Sequence, residues 1–129
     1  MKQKLPSNGT THEATIDWSS LEMLRSLRKP DGSDPGTKLI NLFISTSPAL
    51  LDAMQSALQA ASPESLAKAA HSLKSSSLNM GAVGLGELCA RLEKIGDGGA
   101  SDGAADLLAQ IQSEYVAVVT AFKKKLSEN

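Results

Sequence analysis

The amino-acid sequence predicts an all-α protein, an up-down four-helix bundle with an additional short N-terminal helix. Alanine, leucine and serine dominate the 129 residues, and only 3% are aromatic. No stretch of strand length alternates β-branched with polar side chains. Apolar residues instead recur at spacings of three and four, which is the period of one helix face. Four such amphipathic helices, joined by short turns, bury their apolar faces together as a bundle.

The N-terminal region combines a polar stretch with a short helix. Residues 1–15 show no helical period and are expected to form a flexible tail or the remnant of a linker. His12 lies in this tail and is expected to have no specific role. Asp17 then offers a side-chain cap for a first helix that runs to about Arg28. The apolar positions of this helix recur every three residues: Trp18, Leu21, Leu24 and Leu27.

The segment KPDGSDPG ends the first helix and contains the start of the second. Ser33 or Asp34 can cap this second helix, with Pro35 in its first turn. Pro48 lies further along the same apolar pattern and should kink or interrupt the helix. The apolar face that defines it carries Leu39, Ile40, Phe43, Ile44, Leu50, Leu51, Met54 and Leu58.

Three further helices complete the bundle. Ser62 and Pro63 mark the third helix as cap and first helical residue, and Gly81 marks its end. Gly84 and Gly86 lower the helix propensity of the fourth by up to ~1 kcal/mol each relative to alanine, and the sequence offers no reason for them. The apolar faces are Leu85, Leu88, Cys89, Leu92 and Ile95 in the fourth helix, and Leu107, Leu108, Ile111, Tyr115, Val118, Val119, Phe122 and Leu126 in the fifth.

Charge and cysteine content narrow the classes of function. The formal net charge is -1, from 13 basic and 14 acidic residues, so nothing favours binding to nucleic acid or to an anionic membrane. Cys89 is the single cysteine, which excludes an internal disulfide and a multi-thiolate metal site, and it is expected in the core. No apolar run approaches the ~18 residues that span a bilayer. A cytoplasmic protein with protein or small-molecule partners is expected.

His71 lies in the third helix and is expected to point into solvent. At 100° per residue, the apolar residues of that helix fall at about 140° to 220° from His71, diametrically opposite to it. These residues are Leu66, Ala69, Leu73, Ser76 and Met80. Exposure alone assigns no role, because most surface histidines are inert.

The neighbours of His71 suggest phosphorylation of its ring. Lys68 and Lys74, at i-3 and i+3, disfavour the imidazolium and would stabilise a phosphoryl group on a free ring nitrogen. Ser75 shares this face, together with Ala67. No Asp or Glu is expected on this face to orient the ring, so nothing indicates general acid–base catalysis.

A docking surface is expected around the same histidine. Ala67 and Ser75 are small and keep the approach to the ring open. Leu78 lies one turn beyond Ser75 and is expected to expose an apolar side chain to a docking protein. Glu93 in the fourth helix is expected to be structural, pairing with a neighbouring basic group.

The stretch AHSLKSSSLNMGAVGLGELCARLE, residues 70–93, resembles the histidine-containing phosphotransfer (HPt) domains of bacterial multistep phosphorelays. The shared pattern is a histidine, then Leu-Lys, small residues and Gly-Ala, and later Leu, Cys and Leu-Glu. A weaker resemblance extends over most of the chain, and the HPt domain is expected to cover residues 16–127. Ser75 departs from the pattern, since many members have glycine there.

The resemblance implies a four-helix bundle whose exposed His71 passes a phosphoryl group between receiver domains of response regulators. Lys74 would assist at the phosphate, and Gly81 would end the helix. The protein would have no kinase activity and bind no cofactor itself, because the receiver would supply the aspartyl phosphate and the Mg²⁺. It would act as a monomer, either free-standing or as the C-terminal domain of a hybrid sensor histidine kinase; the linker-like start favours the second.

Two alternatives come from other classes of protein. One is a helical interaction module without any chemistry, which the residues alone favour because exposed histidines are usually inert. The other is a metal- or heme-binding bundle, which two distant histidines and one buried cysteine make a poor fit.

Overall fold

The computed structural model describes residues 13–99 and 102–128, and this part of the chain contains helices and connecting segments but no strand. The five helices are α1 (Ser19–Arg25), α2 (Pro35–Gln59), α3 (Pro63–Asn79), α4 (Val83–Asp97) and α5 (Ala104–Ser127). The helices α2 to α5 form a closed ring of packed neighbours, and α1 lies on α2. The predicted all-α bundle with a short N-terminal helix is therefore confirmed.

The predicted capping residues lie at the helix starts. Asp34 caps α2, because its Oδ1 accepts from the Thr37 amide at 2.7 Å and its Oδ2 from the Thr37 hydroxyl at 2.9 Å. These two hydrogen bonds hold the pKa of Asp34 below its ordinary value, and the bond from the Thr37 amide has the larger effect. Ser62 caps α3 by accepting from the Ser65 amide at 3.4 Å. Asp17 Oδ1 accepts from the Ser19 amide at 3.0 Å, but the N-cap position of α1 is Trp18, one residue later than predicted.

One helix boundary and the continuity of one helix differ from the sequence prediction. The helix α1 ends at Arg25, one turn before the predicted end. The helix α2 runs from Pro35 through Gln59 without a break, so Pro48 does not interrupt it, and the predicted kink stays a prediction. Pro48 removes one backbone hydrogen bond, but burial of the apolar face on both sides of it holds the helix together, since tertiary packing supplies most helical stability in proteins.

The core contains apolar side chains from every helix. Cys89 is fully buried among them, as predicted, and burial raises the pKa of its thiol to about 12. The largest fully buried side chains of the core are Leu21, Ile40, Met54, Leu66, Leu73, Met80, Leu85, Leu92, Ile111, Val118 and Phe122. No helix in the described part of the chain is long and apolar enough to cross a membrane.

Glycines let α3 and α4 approach each other closely. A Cβ atom on Gly86 would lie 2.5 Å from the Leu78 side chain, and one on Gly96 would lie 2.6 Å from the Pro63 carbonyl oxygen. A Cβ atom on Gly84 would lie 3.1 Å from the Thr15 side chain. The low helix propensity of α4 therefore has a reason in packing. The close approach of the two helices lets side chains of α4 reach the exposed face of α3.

Gly81 ends α3 as predicted and joins it to the N-terminal segment. Its φ is +83°, in the left-handed region that favours glycine. Its carbonyl accepts from the Asp17 amide at 2.8 Å. The amide of Thr15, which the sequence placed in the tail, donates to Glu114 Oε2 of α5 at 3.1 Å. The rest of the predicted tail, residues 1–12 with His12, lies outside the described residues.

Candidate functional site

His71 lies on the outer face of α3, and its side chain is 58% exposed. Leu66 and Leu73, on the opposite face of the helix, are at most 1% exposed. This arrangement confirms the orientation predicted from the helical period. The imidazole is therefore accessible to another protein while its backbone belongs to a packed helix.

A carboxylate from the neighbouring helix α4 orients this imidazole. Glu93 Oε2 lies 2.8 Å from His71 Nδ1, and Glu93 Oε1 lies 2.7 Å from Lys74 Nζ. The prediction that no acidic residue lies beside the ring is wrong, because it considered only the face of one helix and this acid arrives from the next. The predicted pairing of Glu93 with a basic group is confirmed, but its position beside His71 was missed.

The charge state of Glu93 decides which ring nitrogen is free. The hydrogen bond from the Lys74 ammonium, with a smaller one from His71, holds the pKa of Glu93 below its ordinary value. Glu93 is therefore ionised at neutral pH and only accepts hydrogen bonds. In the neutral imidazole, the bond to Glu93 places the proton on Nδ1 and leaves the lone pair on Nε2. The arrangement presents Nε2 as the nucleophile.

The two lysines beside His71 differ in their surroundings. Side chains of a helix lean towards its N-terminus, so Lys74 leans back towards His71 whereas Lys68 leans away from it. The Lys74 side chain is 26% exposed and paired with Glu93. Lys68 is exposed and has no ion pair with the described residues. The helical period places the two lysines symmetrically about the ring, and the structure separates them.

The surface on the N-terminal side of His71 is polar. A shallow depression there is lined by Glu64, Ala67, Lys68, His71, Ser72, Glu93 and Asp97. Ala67 is only 7% exposed, because Gly96 packs against it, so the expectation that Ala67 presents an open docking surface is wrong. Ser75, in contrast, is exposed as expected.

The surface on the C-terminal side of His71 is more apolar. Leu78 is 49% exposed, as expected from its helical position, and its side chain lies over Gly86. Leu42 of α2 is 57% exposed and lines a groove with Ser76 and Asn79 of α3. The sequence could not place Leu42 beside the C-terminal part of α3, because only the packing of α2 on α3 brings it there.

A metal centre would need several ligands in one place. Within residues 13–99 and 102–128, no three His, Cys, Asp or Glu side chains come together as metal ligands would.

In this arrangement the His71 imidazole can act as a nucleophile towards an anionic electrophile. An exposed imidazole has Nε2 free, a carboxylate fixes its orientation, and an ammonium group lies beside it. Such a group can accept a phosphoryl group, whose negative charge the ammonium stabilises. Fold and site together define a helical-bundle phosphoryl carrier.

Comparisons with known proteins identify the family. The family model described as Hpt domain matches residues 38–121. The crystal structure of histidine-containing phosphotransfer protein B (HptB) from Pseudomonas aeruginosa PAO1 is similar, with a TM-score of 0.79 and 30% sequence identity. The match covers 89% of this chain and 96% of that chain. A comparison with curated proteins finds no match.

The chain belongs to the Hpt domain family, and its role is phosphotransfer in phosphorelays. Proteins of this family are phosphoryl carriers rather than kinases. The resemblance noted in the sequence between residues 70 and 93 is thereby confirmed.

Proposed function

We propose that this protein is a phosphorelay intermediate in which His71 takes a phosphoryl group from one response-regulator receiver domain and passes it to another. The observation that carries this proposal is the bond from His71 Nδ1 to Glu93, 2.8 Å long, on an imidazole that is 58% exposed. It leaves Nε2 free and directed away from the carboxylate. A partner can therefore reach the nucleophile directly.

The transfer step needs no proton movement. The Nε2 lone pair attacks the phosphorus of an aspartyl phosphate, the N–P bond forms, and the O–P bond breaks with its electron pair remaining on the aspartate. The ring keeps its proton on Nδ1 and gains positive charge, which lies against the Glu93 carboxylate. Onward transfer is the reverse reaction with a second receiver, whose aspartate attacks the phosphorus and returns the neutral ring.

The proposal divides the parts of the active site between the two proteins. We expect the receiver to supply the aspartyl phosphate and the Mg²⁺, while this protein binds no cofactor itself and acts without kinase activity. Its contribution is an oriented nucleophile on a rigid helix, with Lys74 stabilising the transferred charge. Phosphoryl transfer is catalysed largely by positioning and electrostatic stabilisation, so these parts are sufficient for a carrier.

We further propose how the receiver docks and where the protein acts. Leu78 offers an apolar contact on the face of His71, and Leu42 offers another beside the C-terminal part of α3. Ser75 leaves room for the loops of the receiver, and Lys68 offers an exposed charge. The protein is proposed to be cytoplasmic and to work as a monomer. It is either free-standing or the C-terminal domain of a hybrid sensor histidine kinase.

Reconstitution with radiolabelled receivers tests this function. When the protein is mixed with a phosphorylated receiver and a second, unlabelled one, acid-labile and base-stable label is expected on the protein and then on the second receiver. The matched control is a second receiver whose phosphorylated aspartate is replaced, at which label should stop on the protein. If none of the receivers of the source organism passes label to the protein, a helical interaction module without chemistry becomes the better description.

A further inference from the structure

We propose that a depression where α1 reaches the last turns of α5 is a binding site for an oxyanion, a carboxylate or a phosphate, held by Arg25, Arg28 and Lys125. The depression is open to solvent and is lined by Glu22, Arg25, Ser26, Arg28, Lys125 and Glu128. None of these residues lines the depression beside His71. The proposed site is therefore separate from the site of phosphoryl transfer.

The guanidinium group of Arg25 is bonded on one side and lacks an acceptor on the other. Its Nη1 donates to the backbone carbonyl of Lys125 at 3.3 Å. Its Nε and Nη2 are buried, and neither has an acceptor among the described residues. A buried donor without an acceptor is unfavourable, because it has lost its hydrogen bonds to water and gained none in return. A ligand that supplies acceptors to Arg25 would remove this cost.

The free side of Arg25 selects the class of ligand. In a guanidinium group the N–H of Nε and one N–H of Nη2 lie parallel to each other. Two parallel donors match two neighbouring oxygens of a carboxylate or a phosphate, and such bidentate pairs are both strong and specific in geometry. A halide ion or a single carbonyl oxygen has no second acceptor atom for this pair. An oxyanion is therefore the ligand that fits.

The acids that border the depression can give way to such a ligand. Glu22 Oε2 lies 3.9 Å from Lys125 Nζ, and Glu128 Oε1 lies 3.5 Å from it. The two acidic side chains are 64% and 51% exposed. Ion pairs that are this exposed contribute little to stability. An oxyanion that bonds to Arg25 can therefore replace either acid beside Lys125.

The buried acid Asp34 does not occupy the free side of Arg25. Hydrogen bonds from Thr37 and, to a smaller extent, the charges of Arg25 and Arg28 lower the pKa of Asp34. Both oxygens of Asp34 already accept from Thr37, and its printed ion pair is a long one of 4.0 Å to Arg28 Nη2. Arg25 has no ion pair with the described residues. Its charge is therefore only partly compensated.

Basic residues are concentrated at this end of the bundle. Residues 19–38 and 122–128 contain seven basic and four acidic residues, whereas the whole chain has 13 basic and 14 acidic residues. A local excess of positive charge raises the concentration of anions near the surface. The alternative is that these cations only complement the C-terminal ends of α1 and α5, where positive charge is favourable without any ligand. The free side of Arg25 favours the anion site, because complementing a helix end needs no unused donors.

An NMR titration tests the site on Arg25 itself. The chain has three arginines, Arg25, Arg28 and Arg91, so Arg28→Gln and Arg91→Gln identify the ¹⁵Nε–¹Hε resonance of Arg25 by elimination. Sodium phosphate or sodium acetate would be added at constant ionic strength, with sodium chloride as the reference. We expect a saturable change in the Arg25 resonance with half-saturation at about 1–10 mM, a weak affinity suited to a small open site.

Substitutions around Arg25 show which side chains bind the anion. Arg28→Gln and Lys125→Gln should each weaken binding about three- to tenfold, as expected for the loss of one hydrogen bond. Arg25 itself stays in place, because its Cγ packs closely against Gly36 of α2. Lys94→Gln is the matched control, since Lys94 is an exposed lysine in the last turn of α4 outside the depression. It should leave the affinity unchanged.

The outcomes separate the proposed site from a simple effect of charge. Saturation with acetate, with phosphate or with both supports the site and identifies the class of oxyanion. Equal changes in chloride, the absence of saturation with either anion, or equal weakening by Lys94→Gln would overturn it and leave the basic side chains as partners of the helix ends. None of these results bears on labelling of His71, so each proposal can fail without the other.

Thermal unfolding supplies a second readout. An anion that binds the folded state alone raises the unfolding midpoint as its concentration increases. The saturating anion should therefore raise the midpoint of the wild type and of Lys94→Gln, relative to chloride at the same ionic strength. The double variant Arg28→Gln with Lys125→Gln should show a smaller rise. Equal rises in all three proteins would contradict binding in this depression.

Discussion

Replacing His71 with glutamine is expected to abolish phosphoryl acceptance and to leave the fold unchanged. A glutamine amide has no nucleophilic lone pair comparable to that of Nε2, so no N–P bond can form. The side chain at this position is 58% exposed and its removal opens no cavity in the core. Exposed substitutions of this kind usually change the free energy of unfolding by less than about 0.5 kcal/mol.

The measurement is label transfer from a phosphorylated receiver, with the thermal unfolding midpoint recorded for each variant. Label on His71→Gln should fall below detection while the midpoint stays close to that of the wild type. Ser72→Ala, a change at the next exposed position of α3, serves as the matched control and should accept label normally. Wild-type labelling of His71→Gln would place the phosphoryl group on another residue.

Replacing Gly81 with alanine is expected to have the largest effect on stability. The φ of +83° is unfavourable for alanine, and the new Cβ would lie 2.0 Å from the Asp17 carbonyl oxygen. The left-handed conformation and the overpacking together should lower the free energy of unfolding by about 2–5 kcal/mol. Because the contact is with backbone, no side-chain rotation can relieve it.

Gly32→Ala is the matched control for the Gly81 substitution. Gly32 has a similar φ of +88°, but a Cβ there would have nothing within 4 Å. Gly32→Ala should lower the free energy of unfolding only by the cost of the left-handed conformation, about 1–2 kcal/mol. Urea unfolding of both variants compares the two costs. If they are equal, the contact between the N-terminal segment and the end of α3 contributes nothing to stability.

Most of the fold could be predicted because its determinants are local. The helical period, the caps at Asp34 and Ser62 and the stop at Gly81 all act within a few residues of where they stand. The errors concern packing between helices. Pro48 breaks a local rule that burial of α2 on its neighbours overrides. The glycines of α4 had no local explanation because their reason lies elsewhere in the chain, in α3 for Gly86 and in the segment around Thr15 for Gly84.

Part of the site could be predicted as well, because the exposure of a helical residue depends on the local helical period. The phase of one helix placed His71 in solvent, with Lys74 one turn away. It could not show that Glu93, 22 residues further along the chain, lies against the ring. Ala67 was expected on the open surface because it lies about 40° from His71 around the helix, yet α4 covers that side. The Leu-Glu pair at the end of the family pattern contained Glu93, but only the approach of α4 to α3 shows what its carboxylate does.

Nε2 of His71 is expected to carry the phosphoryl group while Nδ1 keeps its proton for Glu93. The most direct test is NMR of the protein with ¹⁵N-labelled histidine, after phosphorylation by a receiver. We expect ³¹P coupling to Nε2 of His71 and a proton on Nδ1. Coupling to Nδ1 of His71, or phosphate on any other residue, would contradict it.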